Sequence, residues 1–272
     1  MGRSSTFDQP PLPQRREHAS NLQMPNLARI PRLYVEAPLA SGASLSLSRE
    51  QAHYVANVMR LKQGASLRLF NGRDGEWLCT IAAAGKRDCS VICHDRTAEV
   101  RQPPDLDYLF APLKHARLDY MAQKATEMGV RRLRPVFTER TVAQRVNLDR
   151  LKANAIEAAE QCNLVTVPDV LRPETLDSIL RQWDPRRRLI FCDETAAIAD
   201  PIAALNGLPC GPLGLLIGPE GGFSDAERAM LRGQKFVTAI SLGPRVMRSD
   251  TAAVAALALI QAVRGDWADQ NL

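Results

Sequence analysis

The first part of the chain, from Pro31 to Ala98, has the period-two alternation of apolar and polar residues that is typical of β-strands. RLYV, ASLSLS and ASLRLF alternate, and the last run leads into NGRDG, a strong hairpin-turn signal. EWLCTIAA and CSVICHD continue the pattern. One amphipathic segment, REQAHYVANVMRL, carries its apolar residues at helical spacing and is ended by Gly64. The pattern predicts a small β-barrel-like module of about 70 residues.

From residue 106 the pattern changes to short apolar runs alternating with amphipathic segments. Such apolar strands between helices are typical of a buried parallel sheet, so we predict an α/β domain. The predicted strands are DLDYLFAP, RRLRPVFTE, RRLIFCDE, LGLLIG and KFVTAISLG. The predicted helices are ARLDYMAQKATEMG, NLDRLKANAIEAAEQC and residues 176–183, 224–233 and 250–263.

Pattern and composition divide the chain into four segments. Residues 1–28 are polar, proline-containing and aperiodic, so we predict a disordered extension. Residues 29–100 form the β-rich module, residues 101–105 (RQPPD) a linker, and residues 106–272 the α/β domain.

The composition, with 45% apolar and 24% charged residues, is that of a globular protein in water. No apolar run reaches the roughly 18 residues that a membrane helix needs. The first residues lack the apolar core of a signal sequence, so we expect a cytoplasmic protein without a membrane partner.

The positive charge is concentrated in one segment. The whole chain carries +5, whereas residues 113–152 hold ten Lys/Arg and four Asp/Glu, a net +6. This excess indicates either a phosphate-bearing partner or an ordinary solvated helix face.

Six cysteines are present without a CxxC pair. Cys89, Cys93 and His94 lie close together, but a second ligand pair at zinc spacing is missing. We therefore expect reduced, mostly buried thiols and no metal site.

Two glycine- and proline-rich loops near the C-terminus, in LLIGPEGGFSDAE and SLGPRVMRSDTAA, each follow a predicted strand. Glycines allow the backbone to approach a ligand closely, and ligands of parallel sheets bind beyond the carboxyl ends of the strands. A tight strand-to-helix turn would have the same composition. The chain contains neither GxxxxGK[ST] nor GxGxxG, which excludes the usual triphosphate and dinucleotide loops.

The second loop carries Arg245 and Arg248 and opens an Ala/Leu/Val-rich helix. Such a helix is expected to be buried on every side, in the core or against another subunit.

Together these loops resemble the C-terminal signature of the SPOUT-superfamily methyltransferases that modify N3 of a uridine in 16S ribosomal RNA. QKATEMGV, PVFTER and EAAEQCNLVTVPDV resemble middle segments of that family, and RIPRLYVE and HYVANVMRLKQGASLRLFNGRDGEW resemble its PUA-like RNA-binding module. Asp250 departs from the family, which usually has Glu before Thr-Ala, and residues 1–28 match nothing.

The resemblance implies a deep trefoil knot that holds S-adenosylmethionine at a homodimer interface formed by the C-terminal domain. Residues 191–194, 216–222 and 242–251 would be its three loops. The implied cofactor-binding residues are Phe191, Leu216, Ile217, Gly218, Pro219, Glu220, Gly221, Gly222, Leu242, Gly243, Val246, Met247, Arg248, Thr251 and Ala252. For Thr251, capping of the helix is an equally good interpretation.

In the implied reaction a guanidinium stabilises an ionised uridine. Arg248 is the first candidate, with Arg245 as its partner or as a phosphate contact. Glu220 and Asp250 are alternative bases, and Glu220 could instead contact the cofactor.

The implied macromolecular partner is 16S ribosomal RNA or the small ribosomal subunit. The predicted RNA contacts are Arg131, Arg132, Arg134, Arg140, Arg145, Arg60 and Arg68, and Lys62 and Arg73 are weaker candidates. The alternative function is a non-catalytic RNA-binding or assembly protein that kept this scaffold.

Overall fold

The computed structural model describes residues 26–85, 88–114, 116–196 and 200–267. Residues 1–30 form one unit and residues 31–272 a second. Most of the predicted extension, residues 1–25, lies outside the described residues. At the end of the first unit, Leu27–Arg29 form a 3-10 turn that Asn26 caps through its side chain.

The β-rich module is a five-stranded sheet with one helix. In the sheet order β1-β3-β4-β5-β2, the pair β1–β3 is parallel and the others are antiparallel. The strands are β1 (Arg32–Tyr34), β2 (Ser44–Ser46), β3 (Ser66–Phe70), β4 (Glu76–Ala84) and β5 (Cys89–Ala98). Helix α1 (Arg49–His53) is opened by a Ser48–Gln51 capping box and continues as a π-helical turn, Tyr54–Val58.

The α/β domain is built on a parallel sheet in the order β12-β10-β11-β6-β7-β8, with β9 paired to β7. Its strands are β6 (Leu106–Phe110), β7 (Arg132–Phe137), β8 (Asp169–Val170), β9 (Glu174–Thr175), β10 (Arg188–Cys192), β11 (Leu213–Ile217) and β12 (Val237–Ile240). Its helices are α2 (Ala116–Glu127), α3 (Leu148–Gln161), α4 (Leu176–Arg181), α5 (Pro201–Asn206), α6 (Asp225–Arg232) and α7 (Ser249–Arg264). The predicted parallel α/β architecture is confirmed; the trefoil knot stays a prediction.

Local sequence signals explain several boundaries. Asn147 caps α3, and the predicted Ser224–Glu227 capping box opens α6. Gly129 follows α2 with φ +70°, a left-handed conformation that suits glycine. The pattern missed β8 and β9, which have two residues each, and α5, which has six.

Helix α7 packs on α2, α5 and β11. Its face with Ala253, Ala256, Leu257 and Ile260 is buried, whereas Thr251 is exposed. The expected burial on every side is therefore wrong for the isolated chain. The remaining apolar positions of α7 are half-buried, except for the exposed Ala262. None of the described helices is both long and apolar enough to cross a membrane.

A buried ion cluster connects the β-rich module to the α/β domain. Arg32 of β1 pairs with Glu76 at 2.5 Å. It also donates to the carbonyl oxygen of Ala159, in the last turn of α3, and to that of Leu164, just beyond α3, both at 2.6 Å. Burial opposes ionisation of Glu76, but the hydrogen bond and charge of Arg32 outweigh it and hold the pKa of this carboxyl below its ordinary value. The cluster thus fixes the orientation of one sheet against the other domain.

Candidate functional site

A cavity of about 440 Å³ lies beyond the carboxyl ends of the neighbouring strands β10, β11 and β12. The loops that follow these three strands line it, together with the first turn of α7. This is the edge at which parallel sheets bind ligands.

Most of the residues that the resemblance assigns to the cofactor border this cavity. They are Ile217, Gly218, Pro219, Glu220, Gly222, Leu242, Gly243, Val246, Met247, Arg248 and Ala252. Arg245 borders it as well.

Four assigned residues do not border the cavity. The side chains of Phe191 and Leu216 are fully buried in a core cluster. They lie on the face of β10 and β11 opposite to the one that carries Ile190 and Ile217. Gly221 lies against the Arg140 side chain. Thr251 is exposed on α7, and the N-cap of that helix is Arg248, so the capping interpretation of Thr251 is wrong.

The lining also includes side chains that the assignment left out. They are Cys192, Asp193, Glu194, Phe223, Arg228, Ile240, Ser241, Pro244 and Ser249. Residues 192–194 fall within the first implied loop, so the loop was predicted but its members were not. Ser249 lies within the third implied loop and Phe223 directly follows the second, whereas Arg228 enters from α6, for which the loop pattern carries no signal.

The loop after β11 is held from both sides. Gly222 donates its N–H to the Pro219 oxygen at 2.9 Å, and Gly222 has φ +66°. A Cβ on Gly218 would lie 2.5 Å from the Phe223 ring, so only glycine fits here. The loop is thereby shaped by close packing.

A charged network lies at one side of the cavity. The buried Asp193 carboxylate accepts bonds from Arg232 and from the N–H and hydroxyl of Thr195 at 3.0 and 2.9 Å. Burial raises the pKa of Asp193, but these bonds outweigh it and hold the pKa below its ordinary value of 3.8. Arg228 joins this network to Glu194 at 2.8 Å. Asp193 therefore stays ionised and anchors the loop after β10.

Cys192, at the end of β10, contributes a thiol to the cavity. Burial raises the pKa of this thiol to about 12, so it is protonated at neutral pH. A neutral thiol is a weak nucleophile, and Cys192 therefore acts as part of the wall. Among the residues that the structure describes, no group of three or more His, Cys, Asp or Glu side chains is placed to hold a metal ion.

Arg245 and Arg248 are the exposed cations of the cavity. Within the described ranges neither guanidinium has an ion-pair or hydrogen-bond partner. Glu220 lines the cavity and pairs with Arg117 at 3.4 Å, whereas Asp250 lies outside the lining and accepts a bond from the N–H of Thr251. Of the two candidate bases, only Glu220 is at the cavity.

The arginines predicted to contact RNA fall into two groups. Arg131, Arg132 and Arg134 lie at or just before the amino end of β7, the edge opposite to the cavity. Arg132 pairs with Asp107 at 2.5 Å, and Arg134 pairs with the same carboxylate at 3.2 Å. Arg131 donates to the Pro103 oxygen at 2.6 Å. All three arginines thus have internal partners, which counts against their predicted role on RNA.

Arg68 is also misplaced by the sequence prediction. Its side chain is buried in the module core and pairs with Glu76 at 3.0 Å, so it cannot face a phosphate. Arg60, Arg140 and Arg145 are exposed. Arg140 reaches the cavity loop, where it donates to the Gly221 oxygen at 3.0 Å.

Comparison with known proteins agrees with this geometry. Residues 100–261 match the RNA methyltransferase domain family, and residues 47–92 match the RNA methyltransferase PUA domain family. The predicted fold class, a parallel α/β domain preceded by a small PUA-like domain, is confirmed.

Among similar proteins, ribosomal RNA small subunit methyltransferase E of Rickettsia conorii is 31% identical over 85% of this chain and 94% of its own length. Its Neisseria gonorrhoeae namesake, solved with S-adenosyl methionine bound, superposes with a TM-score of 0.79 at 25% identity, over 88% of this chain and 99% of that one. A Legionella pneumophila protein solved with bound SAM has a TM-score of 0.77 and 32% identity over the same shares. The chain therefore belongs to the RNA methyltransferase family that includes ribosomal RNA small subunit methyltransferase E.

Proposed function

We propose that the protein methylates N3 of a specific uridine in 16S ribosomal RNA, in the decoding region of the small subunit, with S-adenosylmethionine as methyl donor. The observation that carries the proposal is the cavity beyond β10, β11 and β12, bordered by two exposed guanidiniums that have no partner among the described residues. The two similar structures contain this donor.

The residues present fit the donor. A volume of about 440 Å³ lies within the range of small-molecule sites, roughly 300–1,000 Å³. Ile240, Leu242 and Met247 supply an apolar wall for a nucleoside, and Glu194 supplies a carboxylate at the rim. Gly243 has no atom within 4 Å of a Cβ position, which leaves its backbone open to a ligand.

When bound, S-adenosylmethionine supplies a methyl group on a positively charged sulfur. The chain's task is to place uridine N3 in line with that methyl group and to stabilise the ring after its N3 proton leaves. Arg248 would hold the negative charge that develops on the uridine oxygens, as donors of an oxyanion hole do. Arg245 would assist it or hold the adjacent phosphate.

Removal of the N3 proton needs an acceptor. Of the two carboxylates predicted as bases, only Glu220 borders the cavity, and its ion pair with Arg117 orients it. Proton transfer to bulk water through this rim is the other route.

The macromolecular contacts follow from the same edge of the sheet. Arg140 and Arg145 follow β7 on the cavity side, so they would contact RNA phosphates around the target nucleotide. The half-buried apolar face of α7 would pair with its copy in a homodimer. Ribosomal RNA as substrate implies that the protein works in the cytoplasm.

Mass mapping of 16S ribosomal RNA tests the proposal. RNA from cells that lack the protein should lose one methyl group on a single uridine, and purified protein with S-adenosylmethionine should restore it on free RNA or on small subunits. The alternative, a non-catalytic RNA-binding protein, predicts an unchanged RNA mass and no heat when S-adenosylmethionine is titrated into the protein.

A further inference from the structure

The helix of the PUA-like module presents an unusual outer face. Ala52 and Val55 are fully buried on its inner side, while Tyr54 and Val58 are 38% and 59% exposed on the outer side. A ring and an aliphatic side chain thus lie in solvent within one helical turn.

The backbone of this segment is irregular. Residues Tyr54–Val58 form a π-helical turn, with the N–H of Met59 bonded to the Tyr54 oxygen at 2.9 Å. Such turns often mark functional sites. Here the turn changes the direction in which the outer residues project.

Arg60 ends the helix in a left-handed conformation, with φ +56°. The N–H of Leu61 bonds to the Val55 oxygen at 3.0 Å, one residue further back than the closing bond of a Schellman motif, as the preceding π-helical turn requires. Glycine is the residue that this position favours, and a side chain there is strained. An arginine at a glycine position suggests that its side chain has a task that outweighs the strain.

The local charge indicates the partner. Residues 49–64 contain Arg49, Arg60 and Lys62 but a single carboxylate, Glu50. All three cations are exposed, and none has an ion-pair partner within the described parts of the chain. The surface therefore complements a polyanion.

We propose that Tyr54, Val58, Arg60 and Lys62, here called the helix-end patch, bind unpaired nucleotides of the ribosomal RNA substrate. Tyr54 and Val58 would stack on a base, and Arg60 and Lys62 would hold the flanking phosphates. Unpaired RNA is specified because a base inside a duplex cannot offer its face to a side chain. The proposal rests on the proposed function in taking ribosomal RNA as the partner.

Arg60→Gly is the decisive variant, because it separates stability from binding. Glycine relieves the backbone strain, so the melting temperature should stay the same or rise. Binding to a 16S ribosomal RNA transcript should weaken. The plot of log K against log salt concentration should become less steep, its slope changing by about 0.7–0.9 for one lost phosphate contact.

Tyr54→Ala tests the stacking arm. Its affinity should fall by about tenfold at every salt concentration while the slope stays unchanged, because the lost contact is uncharged. With the wild-type protein, single-stranded oligouridine should displace the transcript more effectively than duplex RNA does. With Tyr54→Ala, this difference between the two competitors should shrink. Tyr120→Ala on α2, where the ring is 44% exposed, is the matched control and should bind like the wild type.

Wild-type affinity and salt slope in both Arg60→Gly and Tyr54→Ala, with the folds intact, would overturn the proposal. Methyl transfer is measured separately on the wild type. If the wild type transfers no methyl group, the proposed function fails while the binding comparison still decides the patch. If it does transfer methyl and the variants bind normally, only the patch assignment fails.

Discussion

Ser249 donates a hydrogen bond from its Oγ to the main-chain oxygen of Gly218, at 2.8 Å. Ser249 opens α7, and Gly218 opens the loop after β11, so this bond joins two of the three loops around the cavity. Both residues border the cavity, and Ser249 is itself buried. This part-buried bond thus helps to set the spacing between two of the loops proposed to hold the methyl donor.

Ser249→Ala should weaken S-adenosylmethionine binding about fivefold, because a neutral hydrogen bond contributes about 1 kcal/mol and its loss leaves the Gly218 oxygen unpaired. Isothermal titration calorimetry measures the change. Ser44→Ala, an exposed serine of β2, is the control and should leave the affinity unaltered. Equal affinities in wild type and Ser249→Ala would show that the loops keep their spacing without this bond.

Arg248→Ala should lower the single-turnover rate of methyl transfer by about 10²–10³-fold and leave donor binding largely intact, because the guanidinium acts on charge that develops in the RNA base. Arg248→Lys should recover only part of the rate, since an ammonium lacks the planar two-pronged donor geometry.

Arg245→Ala separates the two arginines of the loop. If Arg245 is the phosphate contact, the change should weaken RNA affinity and flatten its salt dependence with a smaller effect on the rate at saturating RNA. Arg186→Ala, beyond the opposite edge of the sheet, serves as the control.

A near-normal rate of methyl transfer in Arg248→Ala would remove the electrostatic role given to Arg248.

The fold was predictable where the signal is local. The apolar run that became β11 and the Ser224–Glu227 capping box are each set by residues within a few positions of one another. The cavity loops were predictable as loops from their glycines, and their ligand only through the resemblance.

Long-range partners were not predictable. Arg132 looked like a free cation in sequence, yet Asp107 on the neighbouring strand neutralises it across the sheet. Phe191 and Leu216 were assigned to the cofactor through the resemblance, and the pleat points their side chains into the core. Charge pairing between strands and the face of a strand end depend on register, which composition does not encode.

Two glycines of the cavity should differ in why they resist substitution. Gly218→Ala should destabilise the fold by about 1–3 kcal/mol, because its Cβ would meet the Phe223 ring, which packs edge-on to Phe191 at 4.9 Å. Gly243→Ala has open space, and only its φ of +104° is unfavourable, so we expect a loss of about 1 kcal/mol.

Urea unfolding of the two variants measures the difference. Gly218→Ala combined with Phe223→Leu, which removes the ring, should recover part of the lost stability, whereas Phe223→Leu should give Gly243→Ala no such relief. Equal losses for both glycines, without recovery, would contradict the packing explanation.

Asp193→Asn tests the charged network beside the cavity. The Asp193 carboxylate makes the free energy of unfolding of the wild type depend on pH. The pKa of Asp193 is held below 3.8 in the folded state, so its contribution to stability is complete above the unfolded pKa and is lost as the pH falls through the folded value. Asparagine leaves Arg232 without its carboxylate; because that guanidinium is 46% exposed, the loss should be about 1–3 kcal/mol, less than for a fully buried pair. The difference in unfolding free energy between wild type and variant should therefore be largest and constant from about pH 5 to pH 7, and should shrink below pH 3.8.

Asp177→Asn is the matched control, because Asp177 pairs with Arg181 on the surface of α4 and its loss should cost less than about 1 kcal/mol. A difference for Asp193→Asn that stays the same down to pH 3 would mean that the loss does not depend on the charge of the carboxylate, and that shape rather than charge anchors the loop after β10.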